Sequence, residues 1–178
     1  MPTGEAKDLT GDMYQVDFLS RDFCEKIIKM ADEHGGWEPL PEDLFPAQEI
    51  RLSELGLLEE FREHWETHVV PVYEDIWKPM RHYGVRDAFV MKYSVDTQKE
   101  LKLHTDASLV TGSIKLNDDY EGAELVFPRQ GVSNLDTPVG ACILFPAMVT
   151  HGHECLELTK GTKYSLTIWT SRYKGDYN

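Results

Sequence analysis

Through the first half of the chain apolar residues recur every three or four positions. Phe23, Ile27, Ile28 and Ala31 share one helical face, Ser20 stands ahead of them as an N-cap, and Asp22 and Glu25 suit a first turn. Gly35-Gly36 ends that helix. Leu58, Phe61, Trp65, Val69, Val72 and Ile76 are separated by 3, 4, 4, 3 and 4 residues, which predicts a second helix over about 57–76. Pro71 falls inside this stripe and should kink or break it. Between the helices, residues 37–47 carry three prolines and read as loop, followed by a short extended piece through Ile50 and Leu52 and a turn at Gly56.

After Gly84 the period changes. The segments 88–93, 109–116, 123–127, 140–145 and 164–170 are short and rich in β-branched and aromatic residues, and Asn117-Asp118-Asp119, Gly122, Gly131, Asn134, Pro138 and Lys160-Gly161 separate them as turns. Helices followed by evenly spaced strands predict an α+β fold with a sandwich or jelly roll.

Length and composition bound this picture. At 178 residues with 41% hydrophobic content the chain suits a single domain over 1–178 with one sizeable core, residues 1–12 reading as a polar tail. Eighteen basic against 31 acidic residues leave a net charge of −13, which argues against a nucleic-acid partner. Glu59, Glu60, Glu63, Glu66, Glu74 and Asp75 concentrate that charge; they read as a solvated helix face, compatible with attraction of a cationic substrate. No apolar run is long enough to span a bilayer and no signal-peptide pattern opens the chain, so no membrane partner is expected. Cys24, Cys142 and Cys155 form neither a C-x-x-C pair nor a disulfide framework, which points to a reducing, cytoplasmic setting or to a domain cut from a longer protein.

The candidate chemistry lies in the second half. His104-Thr105-Asp106 places an imidazole and a carboxylate on one face of an extended backbone, and His151 follows 45 residues after Asp106. Two imidazoles and one carboxylate form the facial set of non-heme Fe(II) oxygenases, with positions left open for a bidentate 2-oxo acid and O2. His153 shares the parity of His151 and is its rival; His151 is the preferred ligand. Lys163, twelve residues after His151, and Ser165 fall on one face at a strand start and can hold a carboxylate by charge-assisted bonds. His34, His64, His68 and His82 lack a carboxylate at ligand spacing. A zinc or thiol site at Cys155 lacks a second ligand at defined spacing. No G-x-S-x-G, P-loop, H-E-x-x-H or G-x-G-x-x-G occurs. Phe145, Leu125, Ile114 and Trp169 are candidate apolar walls.

These residues resemble the procollagen lysyl hydroxylases, within the prolyl/lysyl hydroxylase group of Fe(II)/2-oxoglutarate-dependent dioxygenases. The similarity runs from about Tyr14 to Trp169. It is densest at AFVMKY (88–93), HTDAS (104–108), Leu116-Asn117, Asp119-Tyr120-Glu121-Gly122, THGHE (150–154) and TKGTKY (159–164). The resemblance implies a double-stranded β-helix, a distorted jelly roll with flanking N-terminal helices. It also implies Fe(II) on His104, Asp106 and His151, with 2-oxoglutarate on Lys163. Tyr93, Thr111, Asn117 and Ser165 match positions lining the same pocket. O2, ascorbate as accessory reductant, a peptidyl lysine or proline substrate and a homodimer come with the resemblance. A free amino acid hydroxylase and an inactive metal- or peptide-binding jelly roll are the alternatives. Lysyl hydroxylases carry Arg where this chain has Lys163, prolyl hydroxylases carry Lys, and Ala123-Glu124 interrupts the glycine-rich stretch after Tyr120-Glu121-Gly122. Asp106 favours hydroxylation over halogenation, which needs a halide in the carboxylate's place.

Overall fold

A computed structural model describes residues 5–39 and 44–176. Pro41 of the expected loop, and the remainder of 40–43, lie outside them. The elements in chain order are β1 (Lys7–Asp8), β2 (Tyr14–Asp17), α1 (Arg21–His34), β3 (Glu49–Arg51), α2 (Leu58–His68), α3 (Val70–Ile76), β4 (Val85–Ser94) and β5 (Leu101–His104). There follow β6 (Val110–Lys115), β7 (Glu121–Gly122), β8 (Leu125–Phe127), β9 (Val132–Ser133), β10 (Ala141–Pro146), β11 (His153–Cys155), β12 (Leu158–Lys160) and β13 (Thr162–Thr170).

The helices follow the expected chemistry. Ser20 Oγ accepts the Phe23 N–H at 3.2 Å, and Gly35 at φ 67° donates its N–H to Ala31 O, a left-handed cap that glycine adopts without a Cβ clash. The long second stripe is two helices. Val69 closes α2, and Pro71 sits in the first turn of α3, where a missing N–H leaves no intrahelical bond unmade. Phe61, Trp65 and Val69 are buried as the spacing predicts, and the break lets Tyr73 turn inward beside them.

Seven strands form the main sheet in the order β1-β2-β10-β6-β13-β4-β3, four form a second sheet β5-β11-β8-β9, and β12 pairs with β7; every pairing is antiparallel. This is an α+β distorted jelly roll with helices on one side. Lys7–Asp8, expected as tail, pair with β2 and extend the main sheet. Among the described residues no helix is long and apolar enough to cross a membrane.

Strand alternation sorts the main sheet into two faces. Ala88 and Val90, Ile114, Cys142 and Leu144, and Leu166 and Ile168 point outward into a core closed by Ile27, Phe61, Trp65 and Tyr73 of the helices. The alternate residues point inward. Ile143 and Phe145 meet Phe127 of the second sheet, and Met91 and Tyr93 meet Cys155. Gly112 marks a close approach of the sheet to α2, since a Cβ there would lie 2.6 Å from Trp65 Cη2. Thr111, Ser113, Lys163 and Ser165 make part of this inner surface polar, and they line a cavity together with apolar neighbours.

Candidate active site

His104 closes β5 and His153 opens β11, and the antiparallel register sets them directly opposite each other. Their rings lie 4.5 Å apart between centroids. Asp106, two residues past β5, is anchored by its N–H to Ala147 O. Its carboxylate reaches both imidazoles: Oδ1 is 3.6 Å from His104 Nε2 and Oδ2 is 3.6 Å from His153 Nε2. The three donor atoms lie within 4.8 Å of one another.

The outer nitrogens fix the chemistry of the inner ones. His104 Nδ1 meets Lys102 O at 2.6 Å and His153 Nδ1 meets His151 O at 2.9 Å. A carbonyl only accepts, so each Nδ1 carries the hydrogen and each Nε2 presents a lone pair toward Asp106. Thr111 Oγ1 donates to Asp106 Oδ2 at 2.9 Å. Burial holds the His153 imidazole below its ordinary pKa, against the opposing pull of Asp106, which keeps it a neutral ligand. Two lone pairs and a carboxylate that converge without hydrogen-bonding one another suit a cation. Cis donors about 2.1 Å from a first-row metal stand roughly 3 Å apart, so small side-chain shifts close this set around an ion. Each donor is braced from behind by a backbone carbonyl or hydroxyl, as metal ligands usually are.

The group opens onto a cavity of about 840 Å³. Its floor is a two-residue pattern read across three strands. Tyr93, Met91, Phe89 and Asp87 of β4 face Lys163, Ser165, Thr167 and Trp169 of β13, and Thr111 and Ser113 of β6 continue the rows. Lys163 is 2% exposed, and its Nζ donates to Ala123 O at 2.8 Å, lies 3.3 Å from Cys155 Sγ and stands 5.0 Å from the Tyr93 ring centroid. It makes no ion pair among the described residues. Burial raises the Tyr93 phenol, so that group stays neutral. Ala123 takes φ 57°, the left-handed conformation glycine usually supplies, and so turns its carbonyl to the ammonium.

No family model matches the chain. A multifunctional procollagen lysine hydroxylase and glycosyltransferase of Caenorhabditis elegans is 30% identical over 167 residues, which cover 86% of this chain and 23% of that protein. The chain spans under a quarter of the length of the curated relatives it matches first. Among solved structures, a Pseudomonas putida prolyl-4-hydroxylase superposes with a TM-score of 0.69 at 16% identity, over 92% of this chain and 94% of that one. A 2OG-Fe(II) oxygenase family protein from Burkholderia pseudomallei gives 0.66 at 14% identity, over 95% and 89%. The chain is lysyl hydroxylase-like in sequence and prolyl hydroxylase-like in fold.

Two sequence expectations for this hydroxylase-like chain need correction. His151 does not join His104 and Asp106; His153 does. His151 Nε2 donates to Gly11 O at 2.8 Å, its Nδ1 accepts from Thr150 Oγ1 at 2.7 Å, and its ring stacks on Phe145. Its backbone carbonyl orients His153 instead. Asn117 does not line the cavity. It clamps the start of β13, donating to Thr162 O at 2.7 Å and accepting the Tyr164 N–H at 2.7 Å, and so positions Lys163 from behind. Lys163, Ser165, Tyr93 and Thr111 do line it, as do Phe145, Leu125 and Trp169, whereas Ile114 belongs to the outer core. Sequence reasoning missed Phe45, whose ring lies 5.1 Å from that of His104, and Arg51 and Arg86 in the cavity lining. Phe89 and Thr167 were within reach of it, because they share the parity of Lys163.

Proposed function

We propose that this chain is a 2-oxoglutarate-dependent dioxygenase that hydroxylates an unactivated C–H bond of a peptidyl lysine or proline side chain. The observation that carries the reading is a buried ammonium, ion-paired to no carboxylate among the described residues, that shares a cavity with a converging His–Asp–His set. A buried cation without a counterion is costly, and an anion delivered by a ligand removes that cost. His104, Asp106 and His153 would hold ferrous iron on one side. Lys163 would take the far carboxylate of 2-oxoglutarate, with the Ser165 hydroxyl as an added donor. When bound, the iron and 2-oxoglutarate together activate O2 for insertion into the C–H bond, and succinate and CO2 leave. The chain's own part is orientation and dryness. Thr111 and the carbonyls of Lys102 and His151 fix the three ligands, while Phe145, Leu125 and Trp169 exclude water from the reacting end.

The lysine hydroxylases among the relatives support a peptidyl substrate. So does a solved structure of a prolyl hydroxylase with a hypoxia inducible factor peptide fragment, which shares this fold. The deciding test is a succinate-release assay with Fe(II), 2-oxoglutarate and ascorbate, run over lysyl peptides, prolyl peptides and free lysine and proline. Mass spectrometry should find one added oxygen on a peptide. Turnover of free amino acids alone would overturn the peptidyl reading, and no succinate from any of them would overturn the dioxygenase reading.

A further inference from the structure

Cys155 has no part in the reaction above, yet it stands against the group on which co-substrate binding rests. Its Sγ is 3.3 Å from Lys163 Nζ, and the two residues are 4% and 2% exposed. Both side chains address one acceptor, Ala123 O, at 3.4 Å from sulfur and 2.8 Å from nitrogen, so the carbonyl holds them side by side. The other two cysteines, Cys24 and Cys142, are buried in the helix-side core, on the opposite face of the main sheet from Cys155. A disulfide within the chain is therefore closed to Cys155, and its polar side-chain neighbours are the Lys163 amine and the Tyr93 phenol.

The geometry points to a reversible nitrogen–oxygen–sulfur bridge between Lys163 and Cys155 that turns the co-substrate site off. The inference rests on the reading that Lys163 anchors 2-oxoglutarate and that O2 enters this cavity. The step balances with O2 as oxidant: the ammonium, the thiol and one O2 give the N–O–S link, one water and one proton. One oxygen atom becomes the bridge, forming an N–O and an O–S bond. The other leaves as water with one hydrogen from sulfur and one from nitrogen, and the proton goes to solvent. The linked nitrogen is neutral and tethered, so it can no longer meet a carboxylate with a charge-assisted bond. Two equivalents of a dithiol return the amine, the thiol and water. Because the partners already touch, inserting the oxygen asks for side-chain rotation and no backbone movement. A co-substrate carboxylate on Lys163 would compete for the same nitrogen.

The test reads covalent structure, independently of turnover. The iron-loaded full chain is held in air-saturated buffer with and without 2-oxoglutarate, then digested with trypsin and mapped by mass spectrometry. Lys160 lies between the two residues, so trypsin separates Cys155 from Lys163 unless they are linked, and a linked Lys163 is itself no longer a cleavage site. The expected result is a joined species heavier than its two peptides by one oxygen less two hydrogens. It should be lost on treatment with dithiothreitol, absent from Cys155→Ser, and diminished by 2-oxoglutarate. Thermal stabilisation by 2-oxoglutarate should vanish in the linked fraction and return on reduction. Cys155 found as sulfinic or sulfonic acid with Lys163 still cleaved overturns the bridge, as does no joined species at all. A bridge that leaves 2-oxoglutarate stabilisation intact overturns the switch. A failure of the dioxygenase reading is a different result, namely reduced, unlinked protein that releases no succinate.

Discussion

Replacing Lys163 by methionine separates the two things this residue does, and the two effects have opposite signs. In the free protein the ammonium is 2% exposed and is met by one carbonyl, one sulfur and a ring face, with no carboxylate among the described residues. Burying a charge that way costs several kcal/mol, and swapping buried ionic groups for apolar ones of similar volume is often stabilising by about 1–4 kcal/mol. Against this stands the lost bond to Ala123 O, about 1 kcal/mol. Lys163→Met should therefore leave the ligand-free chain more stable by about 1–2 kcal/mol, which for a domain of this size raises Tm by about 2–8 °C. Binding of 2-oxoglutarate should weaken at the same time. A charge-assisted bond of about 1.5–3 kcal/mol corresponds to a roughly 10- to 150-fold loss of affinity. At a 2-oxoglutarate concentration near 100 times the wild-type Kd, the unmodified chain should gain about 2.7 kcal/mol from binding. A variant some 30-fold weaker should gain less than about 1 kcal/mol. Thermal melts of both proteins with Fe(II), across a 2-oxoglutarate titration, measure both signs in one experiment. A variant that is less stable without ligand, or one stabilised by 2-oxoglutarate as strongly as the wild type, would refute the view of Lys163 as a cation awaiting a carboxylate.

The other expectations are simpler. His153→Ala should abolish iron binding, measured by metal analysis after desalting, whereas His151→Ala should retain the metal and lose about 1 kcal/mol of stability with its bond to Gly11 O; the reverse pattern would restore His151 as ligand. Asp106→Ala should end succinate release while circular dichroism shows an unchanged fold, because the residue's bonds serve the site and the Thr111 hydroxyl alone loses its acceptor. Gly112→Ala should destabilise by about 1–3 kcal/mol in denaturant melts through overpacking against Trp65 and Cys142, and an unchanged midpoint would contradict that close approach. Burial lowers the pKa of His82, which bonds the Tyr73 hydroxyl, so the unfolded chain takes up the proton first and stability should fall as pH drops below about 6.5. His82→Gln, which cannot titrate, should flatten that part of the profile.

How much of this was legible in the sequence depends on whether the deciding contact was local or between strands. The helix over Arg21–His34 is written in its own cap residues and its own stripe, and it came out as spaced. The 57–76 stripe was legible too, but where it breaks was not, because Val69 ends α2 where Trp65 and Tyr73 pack into one core across the break. At the site, parity put Lys163 and Ser165 on one inward face, the family resemblance added Tyr93 and Thr111, and all four line one cavity. Parity could not choose between His151 and His153, which share it. The choice is made by register, since only His153 lies opposite His104, and by Gly11, a residue 140 positions away whose carbonyl draws His151 aside. Asn117 failed for a related reason. An amide near a pocket serves equally well as lining or as a clamp, and the free backbone N–H of Tyr164 and carbonyl of Thr162 claimed it first. A ligand set split across strands is thus readable as residue types before it is readable as positions, and the last imidazole is assigned only when the pairing of β5 with β11 is known.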